Sequence, residues 1–254
     1  MNAIASRRAA MASHLRRLGR EAEYRYLRGE LLCDGVRCLR EAAASPLPIT
    51  AVLVSERAAE TLSELLRELN APVYTATADI MEYISPLKTA QDILFSCALP
   101  RARGIDIGAR NLVLDGVQDP GNVGAAVRSA AAFGVDSVIL TGRCADPYNP
   151  KTARAAMGAV FYKNIVRADA DELRRLKESG LALYGAAADG AEDIRDLDLS
   201  RASVAVGSEG AGLSAETLAL CRGRVSIPME SPTESLNAAV AASVIMWEMY
   251  RWKG

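Results

Sequence analysis

Three stretches of the chain place polar side chains among glycines or at the start of a helix, where chemistry is commonly done. The first runs Leu114-Asp-Gly-Val-Gln-Asp-Pro-Gly-Asn122-Val-Gly124-Ala-Ala-Val-Arg128. It reads as a strand, a glycine-bearing turn and a helix start, a geometry whose free N–H groups can receive an anion. Gly116, Gly121 and Gly124 do not make Gly-x-Gly-x-x-Gly, and no acid closes the next strand, Val138-Ile-Leu-Thr-Gly-Arg143. A dinucleotide-dependent oxidoreductase is therefore disfavoured, and with no Gly-Lys-Ser/Thr element so is a P-loop.

The second stretch is Val204-Ala-Val-Gly207-Ser-Glu209-Gly210-Ala-Gly212-Leu-Ser214. Its glycines allow a backbone to approach a ligand closely, and Glu209 offers an acceptor for donors from a base, a ribose or an arginine. The third is Ser226-Ile-Pro-Met229 followed by Ser231-Pro-Thr-Glu234-Ser235-Leu-Asn237 and a run of alanines. Each has a plain structural alternative. Asn122 could help cap a helix with Arg128 solvated, the glycines could form an ordinary turn, and Ser231 to Glu234 fits a capping box that would make Ser235 and Asn237 first-turn residues.

Other chemistries are poorly supplied. The single histidine, His14, lies in the leading segment, against histidine-based triads and zinc sites. Cys33, Cys38, Cys97, Cys144 and Cys221 are odd in number and lack Cys-x-x-Cys spacing, so they are expected as reduced core residues, and no metal is expected. No apolar run approaches membrane-spanning length and no signal peptide is evident, so an internal, cytoplasmic location is expected. The net charge of −1 is uninformative, but its placement is not. Arginines gather in 7–40, with Arg101, Arg103 and Arg110 further on, while acids gather in 169–198. A locally basic face can hold phosphates.

The elements that must position these groups alternate between strand and helix patterns, which predicts an α/β fold. Residues 1–100 read as a small α/β domain led by a basic arm, with strands near Leu31–Cys33, Ile49–Val54, Val73–Thr75 and Ile93–Leu99 and helices near Val36–Ala44, Ala58–Leu69 and Asp79–Ile84. Residues 101–109 read as a linker and 110–254 as a second domain with a mostly parallel sheet covered on both faces. Its last helix is expected near Leu236–Arg251.

Taken together and in order, the three stretches resemble the signature of the SpoU/TrmH family of SPOUT methyltransferases: Asn-x-Gly-x-x-x-Arg at Asn122 to Arg128, Gly-x-Glu-Gly-x-Gly at Gly207 to Gly212, and Ser-Leu-Asn at Ser235 to Asn237 after Ile227-Pro-Met229. Lys151-Thr-Ala-Arg154-Ala-Ala-Met-Gly158-Ala159 also looks like the family's connecting segment. Residues 14–99 look like the ribosomal-protein-like RNA-binding domain that often precedes it, although Asp34 stands where glutamate is usual and Gln91-Asp92 where Gln-Gly is common. The resemblance implies a C-terminal trefoil knot and a homodimer with Arg128 acting across its interface. It further implies transfer of a methyl group from S-adenosyl-L-methionine to a ribose 2'-hydroxyl of RNA. The substrate it favours is ribosomal RNA, with transfer RNA as the alternative within the class and a catalytically silent RNA-binding protein as the alternative outside it. By motif position the catalytic residues are Asn122, Arg128, Glu209, Ser235 and Asn237, and the cofactor-binding residues Gly207, Ile227 and Leu236. Because a guanidinium stays protonated, Arg128 is expected to stabilise charge and hold phosphate rather than accept a proton.

Overall fold

The computed structural model describes residues 1–187, 192–230 and 235–251. Its chain divides into two compact units, residues 1–100 with 148–162, and residues 101–147 with 163–254.

The first unit contains β1 (Asn2–Ile4), α1 (Ala10–Arg20), α2 (Ala22–Arg28), β2 (Glu30–Asp34), α3 (Val36–Ala43), β3 (Ile49–Ser55), α4 (Glu56–Ala59), α5 (Ser63–Glu68), β4 (Val73–Ala76), α6 (Ala78–Ile84) and β5 (Ile93–Ala98). Its sheet runs β1-β4-β3-β5-β2, with β5 antiparallel to both neighbours. The segment expected as a basic arm is a strand and a helix. Ala12, Leu15 and Leu18 of α1 are fully buried against Leu32, Leu53 and Leu94, because apolar residues at helical spacing form a stripe that must be covered. Arg25 is also buried and donates from Nη1 to the Leu18 carbonyl at 2.8 Å, so it belongs to the core rather than to a phosphate-holding face. The single helix expected near Ala58–Leu69 is instead two short ones, α4 and α5.

The second unit opens with β6 (Asn111–Asp115), α7 (Pro120–Ala132) and β7 (Ser137–Thr141). The chain then makes the excursion of residues 148–162, in which α8 (Pro150–Ala156) groups with the first unit and Phe161 meets Phe95 with ring centroids 6.4 Å apart. Helix α8 ends at Met157 in the left-handed region, and a Cβ on the next residue, Gly158, would lie 2.7 Å from Glu41 Cβ. There follow β8 (Asn164–Arg167), α9 (Ala170–Glu178), β9 (Leu183–Ala186), β10 (Glu192–Asp193), β11 (Ser203–Gly207), α10 (Ala215–Leu220), β12 (Gly223–Ser226) and α11 (Ala238–Arg251).

These strands form one parallel sheet in the order β10-β12-β9-β11-β6-β7-β8. Leu112 to Leu114, Val138 to Leu140 and Val204 to Val206 are unbroken apolar runs, as strands covered on both faces require. Helices α9 and α10 close one face, where Leu173 and Leu220 pack with Val113, Ile139 and Ala205. Helices α7 and α11 pack together, and the hydroxyls of Ser129 and Ser243 meet between them at 2.8 Å. Arg110, counted above among the basic residues, is buried, and its guanidinium donates to the carbonyls of Gly134 at 2.7 Å and Met249 at 3.3 Å. It fastens the start of β6 to α11 and the turn after α7, and is not available to a ligand.

Candidate active site

Parallel strands bring their C-terminal ends to one edge, where ligands of α/β sheets bind. At that edge, β6 ends at Asp115 directly beside the end of β11 at Gly207. Helix α7 starts just beyond β6. Its N-cap is Asp119, which accepts the Asn122 backbone N–H at 2.9 Å, and Pro120 occupies the first turn. Capping is thus done by Asp119, which leaves the Asn122 side chain free for other partners.

Glu209 projects from a tight loop after β11, in which Ser208 and Gly212 exchange backbone hydrogen bonds at 3.2 and 2.9 Å. Its Oε1 accepts the Asn122 Nδ2 amide at 3.0 Å, the Asn237 Nδ2 amide, and the Ala238 backbone N–H at 3.3 Å. Asn237 Nδ2 also donates to Asn122 Oδ1 at 3.0 Å. Glu209, expected to hold an arginine or substrate donors, therefore gathers the other two polar motifs into one cluster. Helix α11 begins at Ala238, later than the sequence pattern suggested, and Asn237 caps it, its Oδ1 accepting the N–H groups of Ala239 and Val240 at 3.0 and 3.3 Å. The alternative capping box at Ser231 to Glu234 lies outside the described residues.

Beside this cluster is a cavity of about 370 Å³, within the size range of small-molecule sites. All three sequence-predicted cofactor residues, Gly207, Ile227 and Leu236, line it, as do Glu209 and Ser235. A Cβ at Gly207 would lie 2.1 Å from the carbonyl group of Gly212, so only glycine lets the loop close here. Leu213, Leu218, Ile227, Met229 and Leu236 give the cavity an apolar wall, and the glycine loop gives it backbone polar groups. An apolar wall for a base plus close backbone donors and acceptors fits an adenosine-containing cofactor such as S-adenosylmethionine. The sequence reading missed Asp115, which is 5% exposed and accepts the Ser214 N–H at 2.8 Å, anchoring the far end of the loop. Its signal was an acid closing the strand directly after the apolar run Leu112 to Leu114.

Arg128 is not part of this cluster. Six residues of helix carry it about 9 Å along α7 and about 120° around the axis from Asn122. It is exposed, and among the described residues it has no hydrogen-bond or ion-pair partner. A cysteine nucleophile is not supplied either, since burial pushes the Cys221 thiol up to about 11 and holds Cys144 above its ordinary value. No metal-holding group of three or more His, Cys, Asp or Glu occurs among the described residues, and no described helix is long and apolar enough to cross a membrane.

Motif, sheet and cavity define a SPOUT-class α/β methyltransferase. Residues 109–247 match the SpoU rRNA methylase family, and the chain belongs to that family. It is 31% identical over 220 residues, 86% of this chain and 87% of the relative, to the 23S rRNA (guanosine(2553)-2'-O)-methyltransferase RlmP of Bacillus subtilis (strain 168). It is 34% identical over 233 residues, covering 87% of this chain and 81% of the relative, to the uncharacterized tRNA/rRNA methyltransferase Rv0881 of Mycobacterium tuberculosis. The crystal structure of the SpoU methyltransferase AviRb from Streptomyces viridochromogenes with AdoMet superimposes with a TM-score of 0.84 at 28% identity, covering 96% of this chain and 98% of that one.

Proposed function

We propose that the protein transfers a methyl group from S-adenosylmethionine to a ribose 2'-hydroxyl of ribosomal RNA in the cytoplasm. The observation that carries this is the convergence of Asn122, Glu209 and Asn237 at the mouth of a cavity whose glycine cradle and apolar wall suit the cofactor. When bound, the cofactor supplies an electrophilic sulfonium methyl. The ribose hydroxyl must reach that carbon in line and lose its proton as the C–O bond forms, so the protein's work is orientation and charge stabilisation. Asn122 and Asn237 are held by Glu209 to orient the ribose, and Ser235, at the cavity wall, is placed to hold a polar group of substrate or cofactor.

Arg128 contributes a permanent positive charge to the developing alkoxide and the neighbouring phosphate. As it points away from the cluster of its own chain, it serves the site of a second subunit. The exposed apolar face of α11 supports this, with Val240, Trp247 and Tyr250 each more than 40% exposed, Trp247 and Tyr250 stacked on one another, and Phe133, the residue that ends α7, edge-on to Trp247. The trefoil knot and the RNA-binding role of residues 1–100 belong to the same reading. Calorimetry with S-adenosylmethionine, followed by transfer of labelled methyl to unmodified ribosomal RNA, tests it. Absence of cofactor binding at millimolar concentration would refute the enzyme, and methylation of transfer RNA alone would move the substrate.

A further inference from the structure

A second cleft, of about 300 Å³, runs along the outer edge of the parallel sheet, between edge strand β8, helix α9 and residues 103–105. Three arginines line it, Arg103, Arg167 and Arg175, against one acidic residue, Glu172. That carboxylate is already engaged, its Oε2 accepting the Asp169 N–H at 2.9 Å in the capping box of α9. Among the described residues neither Arg103 nor Arg175 has an acidic partner, whereas the next residue, Arg174, points elsewhere and pairs with Asp171 at 2.5 Å.

The cleft is built rather than incidental. Asn164, 5% exposed, accepts the Arg103 N–H on Oδ1 at 2.8 Å and uses Nδ2 to bond Ser137 Oγ at 2.9 Å. A buried amide thus pins the backbone of Arg103 to the start of β8. At the other end of β8, Arg167 Nη2 donates to the carbonyls of Cys144 and Ala145 at 3.4 and 3.3 Å, which fixes the guanidinium plane and leaves its remaining donors for another partner. Arg167 pairs in register with Leu140, so it ends its strand on the same edge as Asp115, two strands and about 10 Å away. The arginines therefore mark a track that leads along the side of the sheet to the catalytic edge.

We propose that this cleft holds backbone phosphates of the RNA substrate a few nucleotides from the methylated ribose, with Arg103, Arg167 and Arg175 as positioning residues. It rests on the RNA reading above. Guanidinium groups suit phosphate because they stay charged and present paired donors, and the partly apolar wall of Ile105 and Leu176 accommodates a ribose.

The test uses the full chain and in-vitro-transcribed large-subunit ribosomal RNA, with binding measured across a salt series. Arg103→Ala/Arg175→Ala is expected to weaken RNA binding about tenfold and to reduce the slope of log K against log salt by between one and two. Affinity for S-adenosylmethionine and the melting temperature should stay at wild-type values. Arg175→Lys should keep the salt slope, and Arg174→Ala, outside the cleft, should change neither quantity. An unchanged slope in the double variant, or an equal loss in Arg174→Ala, overturns the proposal. Binding is read without catalysis, so a wild-type protein that binds this RNA through the cleft but does not methylate it would count against the proposed activity and not against the cleft.

Discussion

Asn122 and Asn237, 115 residues apart, hold hands through one oxygen: both amides donate to Glu209 Oε1, and Asn237 Nδ2 also reaches Asn122 Oδ1 at 3.0 Å. Two of these three side chains are exposed, so their mutual orientation owes more to Glu209 than to packing. Glu209→Ala should lower the methylation rate by about 10²–10³, the usual effect of losing a well-placed polar group in a site. Glu209→Gln keeps an acceptor oxygen but loses the charge assistance, and should fall between. The melting temperature of both should match wild type, and a loss of turnover accompanied by a large drop in melting temperature would argue for a merely structural role.

Gly207 makes a different kind of statement. With a side-chain carbon 2.1 Å from the Gly212 carbonyl, Gly207→Ala must push the loop of residues 208–212 outward. That displaces Glu209 and opens the cavity wall together. Titration calorimetry should show S-adenosylmethionine binding lost, while the first unit, which shares none of these contacts, keeps its folding transition. Wild-type cofactor affinity in this variant would remove Gly207 from the cradle.

Much of this site was legible in the sequence, for reasons that differ residue by residue. Gly207 and Glu209 stood out as an acid among glycines after an apolar strand, a pattern equally open to an ordinary turn, and the resemblance gave them their roles. Ile227 and Leu236 came from the family resemblance alone, since an apolar residue in a loop carries no chemical signal of its own. The start of α11, expected near Leu236, falls at Ala238 because Asn237 does the capping and serves Glu209 through its other amide atom, a pairing that no local pattern records. Arg110 and Arg25 were counted as surface charge because composition cannot tell a solvated guanidinium from one that buries itself against backbone carbonyls. Asp115 went unnoticed for a related reason, as its value comes from Ser214, ninety-nine residues on.

Asp34 gives a prediction in pH. Burial raises its carboxyl above the ordinary aspartate value even though the Arg154 guanidinium, 3.4 Å away, pulls it down. The folded chain therefore holds this proton to a higher pH than the unfolded chain does. Stability from this group is greatest when both states are protonated and declines as pH rises from the ordinary value through the raised one. Asp34→Asn should remove that decline. Its melting temperature should exceed wild type at pH 7, and the two should converge below about pH 4. A variant less stable than wild type at pH 7 would mean that the ion pair with Arg154 outweighs desolvation.

Arg128 and Glu209 separate cleanly because one chain does not bring them together. If Arg128 completes the site of a second subunit, Arg128→Ala and Glu209→Ala should each be inactive as homodimers. Mixing them should then restore activity, because a heterodimer places both lesions in one site and leaves the other site intact. Random exchange makes half of all dimers mixed, with one working site each, so about a quarter of wild-type turnover is expected at equal mixing. Arg128→Lys tests the charge itself, and should retain less than wild-type activity because a compact ammonium cannot present paired donors to a phosphate. Trp247→Glu places a charge on the exposed apolar face of α11 and should yield monomers by sedimentation that bind RNA and lack turnover. Full activity from those monomers, or no recovery in the mixed dimers, would return Arg128 to the site of its own chain.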